Sequence, residues 1–307
     1  QRARGSRGAM SNCLYLEEPP TLSSLLWIAV GVGALCLVLQ AALTLLFAKL
    51  LPAGPWTSQP AFAAHQVIVL PLMLAVSVLG CLAWWAPSGA HATPGDRIYA
   101  PNAAGERLAA VLLGELVLWD IPLTFLPTIW SPAAMTHHVC TALLALLALR
   151  PYCAYYAPFF AGVIEISSVP LVVVDVFHPK HFAELADTSR ALGALNGACR
   201  MLFALSFLAL RTIYFPLVIS TQVLPDFVAL IRGGLPPSEL CLAVAAVCGT
   251  VGMTLLQLHW SWLLLRQLRK ACAPPPAPDA AAAGDGVQIG KTGQATMEST
   301  ACYSRVE

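Results

Sequence analysis

Two adjacent histidines, His137 and His138, followed by Thr141, open an apolar run in a chain built largely of apolar runs. Imidazole is the side chain suited to moving a proton near neutral pH or to attacking an acyl carbon, provided that an acid orients it. Acids stand on neighbouring runs: Asp120 in Glu115-Leu-Val-Leu-Trp-Asp-Ile-Pro and Glu165 in Glu-Ile-Ser-Ser-Val-Pro. Ionisable groups at membrane depth are unfavourable, so a sequence that keeps them usually has a use for them. On a helix His137 and Thr141 share a face, while His138 lies about 100° round. Glu165 and Ser168 share a face in the same way, as do Asn196 and Arg200, which are flanked by Gly193 and Gly197. Pro122 and Pro170 each free a backbone carbonyl close to one of the acids.

Structural readings compete at each position. Paired histidines near a helix end also suit a membrane interface. A metal site is disfavoured, because neighbouring helical histidines diverge whereas zinc pairs prefer i, i+4 spacing. Glu165 with Arg200 reads either as a buried structural ion pair or as a functional acid and its partner, and burying such a pair is weak evidence for stability. Gly193 and Gly197 read as helix packing.

The elements that must position these residues are membrane helices. Hydrophobic residues make up 58% of the 307 and charged residues 11%, and mean hydropathy is +0.71. Soluble domains carry about 25% charged residues. A net charge of +1 gives no argument for nucleic acid. The ten cysteines show no CxxC or Cys/His zinc spacing and read as small apolar residues. Runs reaching the ~20 residues needed to cross a bilayer predict an all-α polytopic transmembrane bundle of about seven spans, at 23–51, 61–86, 108–127, 133–149, 152–177, 187–223 and 238–265. The sixth run is too long for one straight crossing, and Pro216 is expected to bend it into an interfacial or re-entrant piece over 213–231.

The chain divides into an N-terminal segment (1–22), a first transmembrane helix (23–51), a main membrane domain (52–270) and a Pro/Ala/Gly-rich tail (271–307) that reads as disordered. Gln1 in place of Met suggests a fragment or an incomplete gene model, with Met10 as an internal start. Cations divide seven to six between the two sides. The dense group Arg266, Arg269 and Lys270 favours a cytosolic C-terminus. Lipid-facing charge is unfavourable, so His137, His138, Glu165 and Asp120 are expected around one cavity.

At these residues the chain resembles a known family. His137-His138 with Thr141 resembles the His-His-x-x-Thr of TLC-domain proteins, which include the ceramide synthases. Other matches are similar to the non-synthase branch: His65 early in the second span, Gly114-Glu-Leu-Val-Leu-Trp-Asp, Glu165-Ile-Ser-Ser-Val-Pro with one inserted residue, Arg200 and Arg211 before Pro216, and the ending from Trp260 to Lys270. The resemblance spans about residues 56–270. The synthases carry a His-Asp-x-x-Asp element on the following helix. Here Glu165 and Ser168 take the acids' places, no histidine precedes Glu165, and no homeobox-like domain is visible.

The resemblance implies catalytic candidates His137, His138, Glu165 and Asp120, substrate-binding candidates His65, Thr141, Ser168, Asn196 and Arg200, and no metal or cofactor. It implies membrane lipids as partners, possible self-association, and residence in the endoplasmic reticulum, with Golgi or plasma membrane as alternatives. Three functions follow as expectations. The first is a protein that holds acyl-chain lipids and affects membrane lipid composition. The second is an acyltransferase using long-chain acyl-CoA. The third is a proton-coupled carrier, which lacks the inverted repeat expected of many such proteins.

Overall fold

The computed structural model describes residues 20–86, 91–149 and 152–271. The expectations for Gln1, Met10 and the C-terminal tail lie outside the described residues. Those described are helical with no strand. Helix α1 spans Leu22–Leu50 and α2 spans Pro60–Trp84. A short α3, Pro94–Tyr99, precedes α4, which runs from Ala103–Glu115 through the π turn Leu116–Asp120 into Ile121–Thr124. Then follow α5, Pro132–Ala148, α6, Ala154–Val176, α7, Arg190–Gly233, and α8, Pro237–Lys270. Five of these, α1, α2, α6, α7 and α8, are long and apolar enough to cross a membrane, and α5 is a shorter apolar helix.

Local chemistry starts these helices where they start. Thr21 Oγ1 accepts from the Ser24 amide, Ser131 caps α5 ahead of Pro132, and Ser189 caps α7. Between α2 and α4, the short α3 is nucleated by a capping box in which Thr93 and Asp96 satisfy each other's amides. Hydrogen bonds from Thr93 hold the exposed Asp96 carboxylate below its ordinary pKa.

The long sixth run does not turn back at Pro216. It stays helical from Arg190 to Gly233. A proline ring clashes with the carbonyl four residues earlier. In this chain Pro122, Pro216 and Pro225 each follow closely on a π turn, Leu116–Asp120, Leu208–Tyr214 and Ile219–Val223 respectively. The wider i→i+5 turn makes room for the ring and keeps the helix continuous. At 44 residues, α7 measures about 66 Å along its path, roughly twice a bilayer core. Its C-terminal part therefore continues beyond the hydrocarbon and docks on α3, outside the predicted spans.

Large apolar side chains such as Trp27, Val38, Leu82, Met201 and Leu255 are exposed on the outer surface. Such a surface fits lipid rather than water. Inside, α2 and α6 cross in close approach at Gly80 and Gly162. A Cβ on Gly80 would lie 2.4 Å from the Gly162 Cα and 2.8 Å from the Pro158 carbonyl oxygen. This crossing breaks α6 into two 3-10 stretches around short helices, and the second stretch, Val163–Ser167, carries Glu165.

Candidate functional site

The ionisable residues fall into two adjoining clusters. In the first, Asp120 leaves the π turn of α4 between two histidines from different helices. His65 on α2 hydrogen-bonds through Nε2 to Asp120 Oδ1 at 2.8 Å. His138 on α5 brings Nδ1 to 3.1 Å from Oδ2, an ion-pair distance at which its N–H is not aimed squarely at the oxygen. Asp120 and His65 are buried. His65 stacks on Trp119, with centroids 4.9 Å apart. The Trp119 indole donates to Gln40 of α1, whose amide donates to the Ala61 carbonyl. Four helices thus fix one carboxylate and the two imidazoles that face it.

The second cluster lines a cavity. His137, one residue from His138 but turned about 100° away, faces a mostly apolar space of about 880 Å³, counting its open mouth. Thr141, Glu165, Arg211 and Gln257 share that lining. Leu144, Phe160, Phe215, Val223, Phe227 and Met253 make its apolar body. Arg211, buried in the π turn of α7, donates from Nη2 to Glu165 Oε2 at 3.2 Å and to Ser168 Oγ at 3.0 Å. It also donates from Nε to Ser167 Oγ at 2.7 Å and from Nη1 to Gln257 Oε1 at 3.5 Å. Ser168 donates to Glu165 Oε2 at 2.5 Å, so this pair is held from three helices.

The geometry brings together some of the expected residues and separates others. His137, Thr141 and Glu165 line the cavity; Asp120, His65 and His138 form the neighbouring cluster rather than its wall. The Thr141 hydroxyl donates to the His137 carbonyl and steadies the turn that carries the pair. The cation beside Glu165 is Arg211, not Arg200. Asn196 and Arg200 do share a face, with Arg200 Nε donating to Asn196 Oδ1 at 2.9 Å, but Arg200 lies exposed on the outside of α7 and away from the cavity. Eleven residues separate the two arginines, about three turns, so both occupy similar faces of an ideal helix. The π turn beginning at Leu208 changes the phase and sends Arg211 inward.

Sequence reasoning missed Gln257, a polar residue in an apolar run, which is fully buried on α8. It also missed a third polar group at the far end of the cavity. There Arg97 of α3 forms a two-pronged ion pair with the buried Asp226 of α7, at 2.7 Å and 2.5 Å, and the cavity-lining Tyr156 donates to the same carboxylate. The Asp226 carboxylate raises the Arg97 pKa further. Nearby, burial and a hydrogen bond to Glu239 push the Tyr99 hydroxyl up to about 12. The signal for Asp226 was its place in a run otherwise almost free of acids. Among the described residues no group of three or more His, Cys, Asp or Glu side chains is arranged to hold a metal ion.

The arrangement presents an imidazole, a hydroxyl, a balanced ion pair and an amide at one end of an apolar cavity. A second imidazole, braced by a carboxylate, stands directly behind. Comparison with protein families finds a match to the TLC domain of the TRAM, LAG1 and CLN8 group over residues 56–266. No curated protein and no solved structure matches the chain.

Proposed function

The chain belongs to the TLC-domain family, and from that premise we propose that it holds an acyl-chain lipid in the cavity between α5, α6, α7 and α8 and thereby affects membrane lipid composition. The cavity itself carries this reading: it is apolar along its body and polar at the His137 end, the make-up usual for small-molecule sites. The sequence likeness to the non-synthase branch, with Ser168 where the synthases carry a second acid, supports lipid handling over synthesis. On the same likeness, the endoplasmic reticulum is the membrane we propose for it.

A second reading, acyl transfer from acyl-CoA, is favoured by one observation. The acid expected to orient a catalytic histidine stands 3.1 Å from His138, supplied by Asp120 of α4 rather than by the helix after the histidines. In that reading His138 or His137 serves as base or nucleophile and Asp120 is a positioning residue.

The test is lipid extraction from the purified full chain, followed by mass spectrometry, for wild type and for Ala246→Phe, which fills the cavity. About one acyl lipid per chain in the wild type and little in the filled variant is the expected result. An empty wild-type cavity overturns the proposal and returns attention to a carrier. Adding acyl-CoA and a long-chain amine acceptor separates the two readings: a product that vanishes in His137→Ala and His138→Ala favours the transferase.

A further inference from the structure

Two buried polar atoms at the polar end of the cavity have no hydrogen-bond partner. They are Gln257 Nε2 and His137 Nδ1. Orphaned buried donors cost free energy, typically about 1–3 kcal/mol each, and native structures seldom leave them so. Gln257 is fully buried, and its orientation is set by its neighbour: Arg211 can only donate, so the amide must turn its oxygen toward the guanidinium. The NH2 group then faces the other way. His137 is close to the same face of α8, its ring packed edge-on against Trp260, one turn beyond Gln257, at 5.5 Å. Both residues line the cavity.

Charge decides what kind of group belongs there. Arg211 is the cation at this end, and four of its five N–H groups already meet Ser167, Ser168, Glu165 and Gln257. Glu165 balances its charge, and a second anion would have to share space with that carboxylate. The site therefore offers hydrogen bonds without net positive charge. From this we infer that the cavity selects a neutral lipid whose headgroup presents a carbonyl oxygen, an ester, thioester or amide, with that oxygen accepting from Gln257 Nε2 beside His137. The inference rests on the proposal that the cavity holds an acyl chain, and it makes Gln257 the residue that reads the headgroup.

The experiment uses the purified full chain and three probes of matched length: methyl palmitate, octadecane and palmitate. Each competes for a pyrene-labelled alkane. Methyl palmitate should compete about tenfold better than octadecane, the value of one hydrogen bond to an otherwise orphaned donor. In Gln257→Leu that advantage should vanish, while octadecane competes as it does in wild type, which also shows that the variant is folded. If Gln257→Leu does not fold, Gln257→Met takes its place, and the wild-type ranking still decides. Equal competition by ester and alkane overturns the inference but leaves the acyl cavity standing. So does palmitate competing best, or an ester preference that survives in Gln257→Leu. Failure of all three probes to displace the label overturns both.

Discussion

Replacing Arg211 with methionine tests whether the Glu165 pair is a true buried ion pair. The substitution keeps a long flexible apolar side chain of similar reach but removes all four donated hydrogen bonds. Ser167 keeps its bond to the Ile164 carbonyl, and Glu165 keeps only the Ser168 hydroxyl. A carboxylate left in that position without its cation destabilises by about 3–5 kcal/mol. At ~2–4 °C per kcal/mol for a chain of this class, the melting temperature should fall by roughly 6–20 °C. The double variant Arg211→Met/Glu165→Gln removes both charges, and Ser168 can still donate to the new amide. It should recover to within about 4 °C of wild type, because exchanging a whole buried pair for neutral groups is close to neutral. Tryptophan fluorescence during heating in detergent reads all three proteins. A single variant that loses only one or two degrees would sink the argument, since ordinary polar contacts between membrane helices average about 0.6 kcal/mol. A double variant as unstable as the single would sink it too.

Gly80→Ala should lower the melting temperature by several degrees, because its Cβ would meet backbone at 2.4 Å and 2.8 Å and overpacking costs about 1–3 kcal/mol. Gly197→Ala, with open space around it, should change stability by no more than ~0.5 kcal/mol in the same assay. His181, in the loop before α7, stacks on Phe62 at 3.6 Å and hydrogen-bonds to Gln59; burial first, then the charges of His178 and Lys180, lower its pKa from 6.5 to about 4. Between those values the unfolded chain binds a proton that the folded one does not, so stability falls as pH drops from 6.5 toward 4. His181→Phe should flatten that part of a melting-temperature profile against pH, and an unchanged slope would remove His181 from the account.

Hydropathy made the bundle and the order of its helices legible, because crossing a bilayer imposes a length and a composition that the sequence states openly. The neighbourhood of His137, Thr141 and Glu165 was legible for the same reason: a costly residue in an apolar run stands out. What could not be read was phase. A period of 3.6 residues places Arg200 and Arg211 on similar faces, and only the π turn at Leu208 separates the outer arginine from the inner one. Prolines signalled irregularity at 122 and 216 without saying whether the helix would kink, turn back or widen. Asp226 and Gln257 went unmarked because their partners, Arg97 and Arg211, lie 129 and 46 residues away. A separation of 55 residues likewise hid His65 as the hydrogen-bond partner of Asp120.

The position of Asp120 between those histidines also has a bearing on how the chain is made. Helices are synthesised in chain order, and a lone acid entering a bilayer meets a penalty of about 3 kcal/mol. His65 precedes Asp120 by 55 residues, so the acid arrives when a partner already stands in place, and His138 closes the arrangement one helix later. Glu165 has the opposite history. Its cation, Arg211, follows it by 46 residues, and until then only the nearby Ser168 is at hand. Biogenesis therefore treats the two acids differently: one enters as an answer to an existing histidine, the other as a charge that waits until α7 is half built.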